Sequence, residues 1–276
     1  MIRAFLQVLP TATLLAATLF AVAAVPGAAC ADVVIAQIDQ SPRYASPSAE
    51  FFAAAATGDV EGLQKGLEEG VDINSVVPKP VPPALAALFN PRSRAGMLLN
   101  DPGTTALMLA TACGKIDMVG ALLIAKADRE ARTRSGIRPL DIAAERNDTA
   151  MMQMLLGVTP DSDAARLSII VDLTTQRATL SRDGLPVLVT KVSSGKKTKP
   201  TPPGKYVVTQ KYTEWRSTLY HNASMPFFMR LSCSTVGLHA GVVPDYPASH
   251  GCVRLPSDVA RKLYQLVPKG TVVEIR

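Results

Sequence analysis

The chain repeats itself, and that constrains its first half more than any single residue does. Gly103-Thr104-Thr105-Ala106-Leu107-Met108-Leu109-Ala110 recurs as Gly136-Ile137-Arg138-Pro139-Leu140-Asp141-Ile142-Ala143. The offset from Gly103 to Gly136 is 33 residues, and Leu107/Leu140 and Ala110/Ala143 keep register. Downstream, Val119-Gly120-Ala121-Leu122-Leu123 matches Met152-Gln153-Met154-Leu155-Leu156. An earlier copy runs from Ala55-Ala56-Thr57-Gly58-Asp59-Val60-Glu61 to Leu67-Glu68-Glu69-Gly70-Val71-Asp72-Ile73-Asn74. A fixed period of this length implies one helical unit per repeat. No unit can bury its apolar face alone, so the copies must stack.

This pattern resembles the ankyrin repeat, in two to three degenerate copies over residues 50–158. Lys126 and Asn147 stand where that repeat favours glycine and a left-handed backbone; Asn tolerates this conformation better than most residues. An insertion over residues 75–100 separates the first copy from the next. Its prolines, Pro78, Pro80, Pro82, Pro83 and Pro91, predict an extended loop. The resemblance implies either a concave protein-binding face or a structural spacer packed on the domain that follows.

The N-terminal residues 1–31 have the three parts of an export signal. Arg3 supplies positive charge, residues 11–25 form an apolar run broken by Pro26-Gly27, and Ala29-Cys30-Ala31 offers small residues for cleavage. Retention of the run as an anchor and lipidation at Cys30 are the alternatives. Residues 32–49 read as a linker, with helical pattern from Glu50. Cleavage places the rest of the chain in the periplasm or cell envelope and leaves three cysteines, Cys113, Cys233 and Cys252. In an oxidising compartment an odd number leaves one free thiol. Cys113 and Cys233 can pair only if the fold brings them together.

Beyond Thr159-Pro160-Asp161-Ser162-Asp163 the apolar period changes to two. Leu167–Leu173, Ala178–Ser181, Pro186–Val189, Lys205–Thr209 and Thr271–Ile275 read as strands, and Asp183-Gly184 as a hairpin turn. Asp258–Leu266 reads as an amphipathic helix. The expected fold is therefore multidomain α + β: α-helical repeats, then a compact, mostly-β domain over 166–276. Charge divides the same way. Residues 166–276 hold 16 Lys and Arg against 6 Asp and Glu, whereas residues 32–165 hold 12 against 17. The basic second domain favours an anionic partner. Export and the lack of aromatic-interleaved basic motifs argue against nucleic acid.

Two of the three histidines, His239 and His250, bracket a stretch ending in Ser249-His250-Gly251-Cys252-Val253-Arg254. Its Gly and Pro content predicts a loop without regular strand. A thiol is mostly protonated at neutral pH, so a nucleophilic cysteine needs a base beside it. Neighbouring N–H groups can stabilise the oxyanion, and Gly251 permits close approach of the main chain. No His/Cys cluster has zinc spacing, so neither metal nor cofactor is expected.

His-x9-Ser-His-Gly-Cys-Val-Arg resembles the signature of the L,D-transpeptidase catalytic domain of YkuD type. Ser193-Ser194-Gly195, Thr201-Pro202-Pro203-Gly204-Lys205-Tyr206 and Met225-Pro226-Phe227-Phe228-Met229-Arg230 are similar to further segments of that family, in the same order. The resemblance implies Cys252 as nucleophile and His239 as general base. It implies Ser249, His250 and Gly251 as the loop that orients His239 and builds the oxyanion site. Arg254, Met225 and Phe228 are the implied substrate contacts, and His221 falls outside the catalytic set. The implied reaction releases the terminal D-Ala from a peptidoglycan stem tetrapeptide through a thioester and passes the acyl group to an amine, cross-linking the wall; carbapenems are the implied inhibitors. Hydrolysis, attachment of a protein to the wall, and an ankyrin interaction protein with a non-catalytic wall-binding domain are the other readings.

Overall fold

The computed structural model describes residues 47–219 and 222–276. The export segment, nearly all of the linker and His221 lie outside these residues.

The first half is a stack of helix pairs. Helices α1 (Pro47–Thr57) and α2 (Val60–Glu68) form one pair, α5 (Ala106–Ala112) and α6 (Ile116–Ile124) the next, and α7 (Pro139–Glu145) and α8 (Thr149–Leu155) the third. Caps set the starts. Asp59, Thr105 and Asp148 accept from the N–H groups of Gly62, Met108 and Met151. A left-handed residue joins the helices of each pair: Gly58 (φ 89°), Gly114 (φ 67°) and Asn147 (φ 53°). Another follows each second helix: Gly70 (φ 88°), Lys126 (φ 69°) and Gly157 (φ 74°). Lys126 and Asn147 thus adopt the backbone that the pattern demanded, at a cost of about 1–2 kcal/mol for a Cβ-bearing residue.

The proline-rich insertion is not an extended loop. It folds into two short helices, α3 (Pro83–Ala86) and α4 (Arg94–Asn100), and Leu85, Phe89, Ala95, Leu98 and Leu99 are buried in the repeat core. Pro83 occupies the first turn of α3, where its missing N–H costs nothing. Ser93 caps α4 by accepting from Gly96 N–H. The prolines delimit helices here, and the apolar residues between them find a core to fill.

The second half begins with α9 (Asp163–Arg166) and continues as β1 (Leu167–Asp172), β2 (Arg177–Arg182), β3 (Leu185–Lys191), β4 (Gly204–Tyr212), β5 (Phe228–Leu231), β6 (Gly237–Ala240), β7 (Val253–Leu255), α10 (Ser257–Leu266) and β8 (Val272–Ile275). The strand order is β3-β2-β1-β8-β4-β5-β6-β7. Strand β4 joins the two parts of the sheet: Gly204–Val207 pairs with β8, and Val208–Tyr212 with β5. Asp183 (φ 52°) and Gly184 (φ 79°) make the expected tight turn. Val171, Met229, Leu231, Leu238, Val253 and Leu263 share one core. The expected strands on either side of this turn are present. Strands β5, β6 and β7 were not expected, because strands of three or four residues carry almost no period-two signal.

The two halves touch. Val207 of β4 and Cys233 of the β5–β6 turn pack against the repeat core. The Gln153 side-chain N–H donates to Gly270 O at 2.9 Å. The Arg138 guanidinium lies 4.0 Å from Cys233 Sγ and forms an ion pair with Asp141 at 2.9 Å. Burial, reinforced by the Asp141 carboxylate, pushes the Cys233 thiol up to about 11. No disulfide joins Cys113, Cys233 or Cys252 to one another, so the possible Cys113–Cys233 pairing is not made.

Candidate active site

Cys252 directly precedes β7, whose parallel partner β6 carries His239. Register pairs Leu238 with Val253 and His239 with Arg254. Side chains alternate across a strand, so His239 and Arg254 share a face, and continuation of the ladder puts Cys252 on it too. The stretch from Gly237 is therefore strand at its start and loop only afterwards. Pairing with β7 across the chain overrides its glycine content. Gly237 is itself required: a Cβ there would lie 2.3 Å from the Phe228 ring.

The Cys252 thiol lies 3.6 Å from Thr235 O. Burial raises its pKa, opposed by the Gly237 N–H and by the charges of Arg230 and Arg254. His239 is buried, and burial lowers its pKa. Its Nδ1 lies 2.8 Å from Ala240 O, so Nδ1–H donates and Nε2 is left as the basic nitrogen. The Phe228 ring flanks the imidazole at 6.4 Å. Both groups are thus neutral at rest, a thiol and an unprotonated base.

Ala240 O holds the His239 ring by a hydrogen bond and Phe228 flanks it; Ser249 and Gly251 of the loop expected to orient it bond to one another and to Cys252 O. That loop is braced around the nucleophile. Ser249, 1% exposed, donates to Cys252 O and accepts from Gly251 N–H. The Gly251 N–H is therefore committed to Ser249, which leaves the Cys252 N–H as the donor of this loop nearest the thiol for an oxyanion. Gly251 has φ 122°, a conformation closed to most other residues. His250 is exposed; slight desolvation and the charges of Lys196, Arg254 and Lys199 lower its pKa.

The Ser193-Ser194-Gly195 segment runs beside the loop as a third strut. Ser193 exchanges backbone bonds with Arg254 at 2.9 and 3.0 Å, and Ser249 N–H donates to Ser194 O at 2.9 Å. Buried Thr201 links this strut to the nucleophile: its hydroxyl donates to Gly251 O and accepts from Gly195 N–H, both at 2.8 Å. Sequence reading found the Thr201–Gly204 motif without assigning Thr201 this role.

Two cavities meet at Cys252. The larger, 370 Å³, is lined by His239, Ser249, Met225, Val242 and Arg254 among others. The smaller, 80 Å³, is lined by Trp215, Leu219, Phe228, Arg230 and Thr235 as well as by the cysteine. Met225 borders both. Phe228, an expected substrate contact, borders the smaller one but is 1% exposed; its ring supports Trp215 and His239 instead. Among the described residues the Arg254 guanidinium forms no salt bridge, and no three His, Cys, Asp or Glu side chains converge as a metal site.

A thiol with a neutral base on the adjacent strand, held on a β-rich domain, is suited to acyl transfer. Residues 51–165 match ankyrin repeats, in three copies, and residues 166–275 match the L,D-transpeptidase catalytic domain (YkuD) family. Similar solved structures include an L,D-transpeptidase from Mycobacterium smegmatis, 21% identical with a TM-score of 0.39, covering 40% of this chain and 58% of that one. An Enterococcus faecium L,D-transpeptidase is 30% identical with a TM-score of 0.37, over 40% of this chain and 50% of that one. L,D-transpeptidase 3 from Mycobacterium tuberculosis, solved with a faropenem-derived adduct, is 20% identical with a TM-score of 0.37, over 40% and 60%. The chain therefore spans between half and three fifths of the length of these relatives. No curated protein matches it.

Proposed function

We propose that the protein is an exported peptidoglycan L,D-transpeptidase. The observation that carries this reading is the Cys252–His239 pair on adjacent strands, opening on one cavity with a cation, Arg254, that has no carboxylate partner among the described residues. His239 Nε2 takes the thiol proton as Cys252 Sγ attacks the carbonyl of the third residue of a stem tetrapeptide. The Cys252 N–H stabilises the oxyanion. The C–N bond to the terminal D-Ala then breaks, and the imidazolium returns its proton to the departing amine. A thioester remains. An amine of a neighbouring stem attacks it, loses a proton to His239 and regenerates the thiol. Arg254 holds a substrate carboxylate through a two-pronged contact. The excess positive charge of residues 166–276 favours the anionic wall polymer. The tripartite pattern of residues 1–31 supports export to the periplasm or cell envelope. The repeats supply a surface for a protein partner, and acylation of Cys252 by carbapenems is expected from the family.

Mass spectrometry of the purified protein incubated with stem tetrapeptides tests this. D-Ala release with cross-linked dimers, lost in Cys252→Ala and His239→Gln, is the expected result. Release without dimers identifies water as the acceptor. No release, with Cys252→Ala indistinguishable from the native chain, removes the enzymatic reading and leaves wall binding.

A further inference from the structure

The smaller cavity contains a cation that the mechanism above does not use. Arg230, on β5, lies beside the stacked rings of Trp215 and Phe228, with its guanidinium carbon 5.1 Å from the Trp215 centroid and 5.3 Å from that of Phe228. One of its Nη groups donates to Ser234 O at 2.9 Å. Its Nε–H is buried and has no acceptor among the described residues. Arg230 forms no ion pair among the described residues, although several surface arginines do. Two aromatic contacts and the bond to Ser234 restrain the guanidinium and spare it rotamer entropy on binding, which suits recognition of a carboxylate. A buried, unpaired N–H is costly, and an arriving acceptor relieves that cost.

Position sharpens the assignment. Arg230, Thr235 and Cys252 line the same 80 Å³ space, which is closed at its sides by Trp215, Leu219, Val236 and Phe228. That volume holds a single small residue and no polymer. The larger space, with Arg254, adjoins it at Cys252, Met225, Ser217 and His250, which line both. A peptide attacked at Cys252 must run one way into each cavity, and only its terminal residue fits the smaller.

We propose that the smaller cavity seats the departing residue of the substrate and that Arg230 binds its terminal carboxylate, making Arg230 a specificity-determining residue. The proposal rests on the transpeptidase reading. It assigns a direction to the substrate: terminal residue toward Trp215 and Arg230, remainder of the stem toward Arg254 and Val242. It also restricts the donor to small terminal residues with a free carboxylate.

A substrate-by-mutant cycle tests it. Native protein, Arg230→Gln and Arg230→Lys are assayed for acyl-enzyme formation with a stem tetrapeptide and with its C-terminal carboxamide. The native protein should prefer the free acid by about 10- to 100-fold in kcat/KM, the range of a charge-assisted hydrogen bond. Arg230→Gln should lose that factor on the acid but little on the amide, so the preference collapses. Arg230→Lys should restore part of it. Equal losses on both substrates, or a native protein indifferent to amidation, overturn the assignment while leaving the transpeptidase reading standing. A native protein that forms no acyl-enzyme with either substrate overturns both. Circular dichroism melting separates unfolding from lost recognition: a variant that melts early yet keeps the native preference also counts against the proposal.

Discussion

Thr201→Val isolates the brace on the nucleophile loop. Valine has nearly the shape of threonine, so the substitution opens no cavity at a position 2% exposed. It removes one hydroxyl with two partners, Gly251 O and Gly195 N–H, each at 2.8 Å. Leaving a buried donor or acceptor unsatisfied costs about 1–3 kcal/mol. Two orphaned groups, partly relieved by local shifts, then cost about 2–4 kcal/mol. A chain of this size loses about 2–4 °C of melting temperature per kcal/mol, so a drop of about 5–15 °C is expected. The effect on chemistry is separate. Gly251 carries Cys252, and a displacement near 1 Å in a reacting group costs about 10²-fold in rate. Melting followed by circular dichroism reads the first effect, and the rate of Cys252 alkylation by iodoacetamide, with D-Ala release, reads the second. Thr201→Ser, which keeps the hydroxyl, should recover most of both. A Thr201→Val protein that melts within 1 °C of the native one and alkylates at the native rate would falsify the view that this hydroxyl holds the loop.

Four further outcomes follow from the structure. His239 is buried as neutral imidazole, so the acid limb of the kcat/KM profile should have its inflection below 6.5 and the rate should fall as Nε2 is protonated; an inflection above 6.5 contradicts a neutral resting pair. The same depressed value means that stability is retained above pH 6.5 and is lost as the pH falls from there through the lower folded value, which urea titrations at several pH values will show. Leu98→Ala, in the insertion, should lower the unfolding free energy by about 2–5 kcal/mol if α4 is part of the core, whereas a loop residue would cost under about 1 kcal/mol. Cys233, raised to about 11 by burial and Asp141, should resist alkylation at pH 8, and Asp141→Asn should speed its labelling severalfold by peptide mass mapping; an unchanged rate refutes the contact between the repeats and the β5–β6 turn.

Much of this architecture was legible from residues alone, because its signals are local. The 33-residue period specifies stacked helix pairs, and a stack works only if each join adopts the same backbone. Lys126 and Asn147 adopt it although they are not glycine. Asp183-Gly184 between apolar alternations encodes a hairpin in the same local way. Cys252 and His239 were readable as a pair because the chemistry needs a thiol and a base, and their sequence neighbourhood is distinctive.

What only the tertiary structure decided depends on residues far apart in the chain. Strands β5, β6 and β7 are too short to show a period, and they exist because the chain pairs them across long separations. Their pairing, not the loop, brings His239 to Cys252. The imidazole takes its tautomer from Ala240 and its environment from Phe228. Ser249 and Gly251 turned out to serve the nucleophile's own loop. The insertion reads as loop while each proline is weighed alone, and becomes helix once Leu85, Phe89 and Leu98 find a core to fill. Local backbone preference acts within a few residues and can be read from them. Burial, register and the sharing of hydrogen bonds depend on which distant segments meet, and here those meetings set the tautomer of the base, the brace on the thiol and the cation in the smaller cavity.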